Sequence, residues 1–212
     1  MGTAERRERE KLRRRTDIID SAENVFFSKG FENSTMDDVA SEAELSKGTL
    51  YLYFKSKEEL YLEIVHRATK ILSGLFLEAV ENKTTGLEKT KAIGEGFIKF
   101  NKEYPNYHDA FLYHQTKEYD EKLSVDLESS VFGVKKQSME IFVDAIESGI
   151  KDGSIRENLD PVKTAVLLWG ETTGVLMLIK YKGKLLKQNL NLSEEELISY
   201  FFEFTYQALK AN

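Results

Sequence analysis

Ser46 to Lys57 is the stretch of this chain best equipped to bind a polyanion. Lys47, Lys55 and Lys57 supply three cations and the twelve residues hold no anion, although the 212-residue chain carries a formal net charge of -6. Gly48, Thr49, Tyr51 and Tyr53 are interleaved with these lysines. On a short helix they would offer ammonium groups, hydroxyls and main-chain amides to one surface, the chemistry of a helix lying in a DNA groove. Lys47 and Thr49 fall in its first turn, where base edges come within reach. There Lys47 could donate to guanine O6 and N7, and Thr49 could touch a thymine methyl or a phosphate. Tyr51 and Tyr53 diverge by about 200° on a helix, so one can face DNA while the other meets a core edge or the backbone. Leu50 and Phe54, spaced i, i+4, read as core. Lys57 opens the next helix, where an ammonium and free amides could hold a phosphate.

The flanking sequence supplies elements that would position these groups. Two prolines, at 105 and 161, and no strand-like alternation point to an all-α protein. A first helix is expected from near Glu5 to Lys29, with Ile18, Ala22, Val25 and Phe26 on one face and Gly30 as its stop. Thr35-Met36-Asp37-Asp38 reads as a capping box that starts a short helix to about Ala43. Thr35 could present its hydroxyl and nearby amides to a phosphate, or only cap that helix. Glu44-Leu45 takes the turn position where glycine is usual, and Ser46 caps the second short helix. Ser56-Lys57-Glu58-Glu59 is another capping box, opening a long helix to about Val80 whose inner face is Leu60, Ile64, Ala68, Ile71 and Leu75. Two short helices around a tight turn, bracketed by longer ones, make a helix-turn-helix within a three-helix core. Further helices are expected at 87–103, 106–117, 122–152, 162–181 and 194–210, several with marked starts such as Asp160-Pro161 and Ser193-Glu194-Glu195-Glu196.

Charge follows the same division. Residues 1–70 carry 13 Lys and Arg against 14 Asp and Glu, so most of the net acidity lies beyond them. Residues 1–16 hold seven cations and three anions, and Arg6, Arg7, Arg9, Lys11, Arg13, Arg14 and Arg15 could reach DNA backbone as an arm or form a solvated face. The chain has no cysteine, which excludes disulfides and thiolate metal sites. No secretory signal is read in Met1 to Arg15, and Ala165 to Ile179 reads as too short and too polar to span a bilayer. A cytoplasmic location is therefore expected.

The block Gly30-Phe31, Thr35, Val39-Ala40, Ala43, Ser46-Lys47-Gly48-Thr49-Leu50-Tyr51, Tyr53-Phe54 and Lys57-Glu58-Glu59-Leu60 resembles the TetR family of bacterial transcription regulators. The C-terminal two-thirds is similar to that family in layout only. The resemblance implies an N-terminal helix-turn-helix domain, residues 1–56, joined to a larger helical effector-binding and dimerisation domain, residues 57–212, with about nine helices in all. It also implies a homodimer on a palindromic operator and release by a small-molecule effector. By the family's pattern Thr35, Lys47, Thr49, Tyr51, Tyr53 and Lys57 meet DNA, and Gly48 is similar to the small residue that lets the recognition helix approach the groove.

Catalysis has little support. His66, His108 and His114 are the only histidines, and no HExxH or nucleophile-elbow spacing occurs. Neither a cofactor nor a bound metal is expected. Residues 97–119 hold seven aromatics: Phe97, Phe100, Tyr104, Tyr107, Phe111, Tyr113 and Tyr119. Each reads singly as core. Collectively Phe97, Phe100, Tyr104, Phe111, His114 and Trp169 could wall a pocket for an effector of apolar or aromatic character. The last two long helices, with Val166, Leu167, Val175, Leu178, Leu197, Phe201 and Phe204, are the expected dimer bundle, and Gly170-x-x-x-Gly174 permits close helix approach there. The competing readings are a helical small-molecule binder without DNA readout, an activator of the same fold and, least supported, a helical-bundle enzyme.

Overall fold

A computed structural model describes residues 2–115 and 125–211. Among them the chain forms nine helices: α1 (Thr3–Lys29), α2 (Met36–Glu42), α3 (Lys47–Tyr53), α4 (Lys57–Val80), α5 (Gly86–Glu103), α6 (Pro105–Gln115), α7 (Val125–Asp152), α8 (Pro161–Leu190) and α9 (Glu194–Leu209). One isolated antiparallel bridge, Ile155 with Lys210, is the extended pairing seen among them. The fold is all-α, as the sequence implies. Tyr119 and the expected helix ends at 116–117 and 122–124 lie outside the described residues.

Local chemistry explains where the helices begin and end. Gly30 stops α1 at φ 79°, and its N–H returns to the Phe26 carbonyl at 2.9 Å. The Thr35 box closes both ways: the hydroxyl accepts from the Asp38 N–H at 3.1 Å, and the Asp38 carboxylate accepts from the Thr35 N–H at 2.9 Å. The Ser46 hydroxyl accepts from the Thr49 N–H at 3.2 Å. At α4 the Ser56 hydroxyl accepts from the Glu59 N–H at 3.2 Å, but the Glu59 carboxylate turns to the Lys55 N–H at 2.7 Å. Glu44 makes the α2–α3 turn in the left-handed region, φ 55°, a conformation that costs a non-glycine residue about 1 kcal/mol. The largest departure from expectation is α8, which continues past 181 to Leu190. Gly183 weakens a helix interior by about 1 kcal/mol without ending it, and the stop comes at left-handed Asn191, φ 50°.

The chain divides into two compact units, Met1–Thr69 with Asn106–Gly133, and Lys70–Pro105 with Val134–Asn212. In the first, Ile18, Ala22, Val25 and Phe26 of α1 pack with Val39, Leu50, Phe54, Leu60 and Ile64, and α6 adds Ala110. Tyr61, Leu62 and Val65 are buried as well. This part of α4 is enclosed nearly all round rather than on one face. Beyond it Leu72 and Phe76 are buried while Ile71 is half-buried, a rotation of the face expected from spacing.

The second unit is closed where α5 meets α7. A Cβ on Gly86 would lie 1.9 Å from the Gly149 nitrogen, so the backbones touch there. The Asp152 carboxylate accepts the Gly86 N–H at 2.8 Å, and Ser154 Oγ accepts the Leu87 N–H at 3.1 Å. Hydrogen bonds from Ser154 and from the Gly86 amide hold the Asp152 carboxyl below its ordinary pKa.

Candidate nucleic-acid interface

The candidate interface is built on α3, anchored from within by Leu50 and Phe54, both fully buried. Arg15 of α1 braces its C-terminal end. The guanidinium lies 4.2 Å from the Phe54 ring centre, donates to the Tyr53 carbonyl at 3.3 Å and is ion-paired with Glu63. Arg15 is therefore a scaffold residue. Arg6, Arg7, Lys11, Arg13 and Arg14 are exposed on the first turns of α1, which is helical from Thr3.

Lys47, Gly48 and Tyr51 are exposed and Thr49 is half-exposed. The Lys47 ammonium contacts the Asp37 carboxylate at 2.7 Å, and this hydrogen-bonded pairing raises the lysine pKa. Both side chains are more than half exposed, so the pair is a weak one that a phosphate or base edge could displace. The Thr49 hydroxyl lies 2.8 Å from the Ser46 hydroxyl. Gly48 has only the Ser46 hydroxyl at 4.0 Å from a hypothetical Cβ, leaving that side of α3 open. The two tyrosines diverge as their spacing requires. Tyr51 is exposed, whereas Tyr53 is half-buried against the hydrophobic cluster of this unit.

Thr35 and Lys57 are engaged within the protein. The Thr35 hydroxyl donates to Asp38 at 2.7 Å while accepting from its N–H, so it acts here as a helix cap. Lys57 Nζ donates to the carbonyls of Phe31 at 2.7 Å and Ser34 at 2.9 Å and stands 4.3 Å from the Phe31 ring centre. Its ammonium thus clamps the α1–α2 loop to the start of α4 and keeps one N–H for another partner. Lys55 caps the end of α3, its ammonium reaching the Tyr51 carbonyl at 2.8 Å. Asp38, bonded to Lys29 and Thr35, has its pKa lowered to about 2.

Sequence spacing overlooked Leu52, whose side chain is 77% exposed on α3. The signal was available, because Leu52 lies opposite Leu50 on a helix, but an apolar residue was not counted among polar candidates.

A polar network joins α1, α4 and α6 in the same unit. Arg67 meets Asp20 at 2.6 Å and Glu23 at 3.0 Å. Tyr107 of α6 packs edge-on to Phe27, and burial followed by the neighbouring Glu23 carboxylate pushes its pKa up to about 12. The Tyr61 hydroxyl donates to the Ala110 carbonyl at 3.2 Å.

The aromatic residues proposed as an effector wall divide between the units. Phe97, Phe100, Tyr104 and Trp169 belong to the second, where the Phe97 ring lies 5.1 Å from Trp169 and Phe100 stacks on Tyr104 at 6.3 Å. Phe97 and Phe100 are buried. Phe111 and His114 belong to the first unit, where Phe111 is buried and His114 half-buried. A separate cavity of about 30 Å³ in the second unit is lined by Leu87, Thr90, Phe142, Leu168, Thr172 and Thr205. That volume suits a water molecule rather than an organic effector.

A buried hydrophobic anchor, a capped two-helix turn and an outward-facing short helix with a lysine in its first turn define a helix-turn-helix DNA-binding protein. Residues 18–64 match the family model for bacterial regulatory proteins of the tetR family. It is 28% identical over 69% of its length, and 70% of the relative's, to the HTH-type transcriptional repressor KstR2 of Mycolicibacterium smegmatis (strain ATCC 700084 / mc(2)155). It is 27% identical over 72% of its length, and 76% of the relative's, to the fatty acid metabolism regulator protein of Bacillus subtilis (strain 168). A solved structure of AibR in complex with isovaleryl coenzyme A and operator DNA shares the fold, with TM-score 0.66, 19% identity, and coverage of 90% of this chain and 97% of that one. The similar proteins named here are regulators by name rather than enzymes.

Proposed function

We propose that this protein is a cytoplasmic, homodimeric repressor that binds a palindromic DNA operator through α3 and is released from it by a small-molecule effector. The observation that carries the DNA-binding part is the split of α3 into a locked inner side, Leu50 and Phe54, and an open outer side bearing Lys47, Gly48, Thr49 and Tyr51. In this reading those four residues meet the groove and the nearest phosphates. Thr35, Tyr53 and Lys57 hold the reading head in shape and border the backbone.

Dimerisation is supported by an uncovered apolar stripe on α8. Leu167, Gly170, Gly174, Leu178, Tyr181 and Leu185 recur at helical spacing and all are exposed. Nothing lies within 4 Å of a hypothetical Cβ at either glycine, so a second helix could approach closely. Tyr200 and Phe204, 68% and 64% exposed, extend an apolar surface onto α9. By length and composition α8 could also cross a membrane, since it contains an 18-residue window of mean hydropathy 1.4. Kinship with DNA-binding regulators favours a second copy of the chain as the cover for this face. An isologous pair of this kind would require a palindromic site.

The effector domain in this proposal is residues 57–212. Coupling would run through α4, a continuous helix that begins at the Lys57 clamp and continues into the second unit. A shift of α4 would release the α1–α2 loop, and effector and operator would then oppose each other's binding reciprocally. An acyl thioester is the first effector class to test, because the AibR structure holds isovaleryl coenzyme A and one relative is named for fatty acid metabolism. The discriminating experiment is retention on DNA at low salt by the Lys47→Ala, Tyr51→Ala double variant. Loss of retention supports readout by α3, whereas undiminished retention refutes it.

A further inference from the structure

Among the described residues Leu52 is the most exposed of the large hydrophobic residues, at 77%, and it sits on α3 with Lys47 and Tyr51. At about 100° per residue, Gly48 and Leu52 straddle the direction opposite the buried Leu50, each about 20° from it. Lys47, Tyr51 and Thr49 fall to the sides of that line. The outermost ridge of α3 therefore consists of a residue with no side chain, followed one turn later by an apolar one. The space beside Gly48 is open, so the helix backbone itself can approach a surface there and bring Leu52 into contact with it.

Resting on the DNA-binding reading above, we infer that Leu52 is a specificity-determining residue that reads the C5-methyl group of a thymine in the operator. The major-groove edges of the bases present hydrogen-bonding groups and one apolar feature, the thymine methyl. A leucine can neither donate nor accept a hydrogen bond, so a polar edge opposite it would lose its water without gaining a partner. Cations lie at both ends of the ridge, Lys47 in the first turn of α3 and Lys55 just beyond its end, which suits a ridge held close to phosphates. The assignment separates two tasks on one short helix: Lys47 reads or anchors by charge, and Leu52 discriminates by shape.

The test starts from DNA sites enriched by the wild-type protein from a random pool. Each thymine is replaced singly by deoxyuridine, which removes the methyl and leaves base pairing unchanged. The expected result is one position per half-site at which wild-type affinity falls about fourfold, the worth of one buried methyl group. Leu52→Ala should bind the thymine site more weakly and show no further loss at that deoxyuridine, while its salt dependence and melting temperature match the wild type. Leu52 is exposed, so this variant is expected to fold normally. Sites whose thymines are all replaceable without loss overturn the Leu52 assignment alone, as does an equal fourfold loss in Leu52→Ala. A wild-type protein that enriches no sequence overturns both this assignment and the DNA-binding function beneath it.

Discussion

Replacing Lys57 with methionine separates two roles for one ammonium group. Methionine keeps most of the side chain's length and apolar contact but removes the charge and all three N–H donors. In the structure two of those donors serve the carbonyls of Phe31 and Ser34, at 2.7 and 2.9 Å, and the charge stands 4.3 Å from the Phe31 ring centre. Hydrogen bonds from a charged donor are worth about 1.5–3 kcal/mol each, and a partly exposed cation–π contact about 0.5–1 kcal/mol. The clamp is only half-buried and water can take over part of its work, so the lower ends apply and the loss should be about 3–4 kcal/mol. Urea unfolding followed by circular dichroism would register this as a lower midpoint with an unchanged slope. The dependence of DNA affinity on salt supplies the second readout. A clamp that makes no phosphate contact leaves the log-log slope unchanged, whereas a phosphate ligand lowers it by about one. Unchanged stability with a slope reduced by about one would refute the clamp and make Lys57 a phosphate ligand.

Four other outcomes follow from single features. Glu44→Gly should stabilise the protein by about 0.5–1 kcal/mol, because the left-handed turn residue sheds its steric cost; calorimetry checks this. Asp38 has its folded pKa lowered to about 2, so its contribution is complete above the ordinary carboxylate range near 3.8 and is lost as pH falls toward 2. An acid titration of stability in Asp38→Asn should lack that component. Gly86→Ala would drive a methyl group into the Gly149 backbone and should cost about 3 kcal/mol or more, measured by thermal melting. Leu167→Glu combined with Phe204→Glu should yield a folded monomer in sedimentation velocity, and a persistent dimer would move the interface elsewhere.

Much of the fold could be read from local signals because helix ends are local chemistry. The hydroxyl–carboxylate pairs at Thr35 and Ser193, Pro161 after Asp160, and Gly30 after Lys29 each marked a boundary that the structure keeps. The length of α8 was less legible, since a glycine inside a helix and a glycine ending one look alike until the cap at Asn191 is located. The open outer side of α3 was visible in Lys47, Gly48, Thr49 and the alternation of Tyr51 with Tyr53. Which polar groups were already committed was hidden, because the carbonyls that hold the Lys57 ammonium lie 23 and 26 residues away in sequence. The division of the aromatic residues was hidden for the same reason. Sequence proximity in 97–119 does not reveal that Tyr107, Phe111, Tyr113 and His114 pack in one unit and Phe97, Phe100 and Tyr104 in the other.

The central claim, a paired α3 that reads DNA, is tested most directly by selecting bound sequences from a random duplex pool and measuring the spacing of whatever is enriched. The account predicts an inverted repeat whose half-sites lie one helical turn or more apart, lost when Lys47 and Tyr51 are both alanine. Enrichment of an unpaired site would contradict the dimer, and no enrichment at all would contradict DNA reading by this helix.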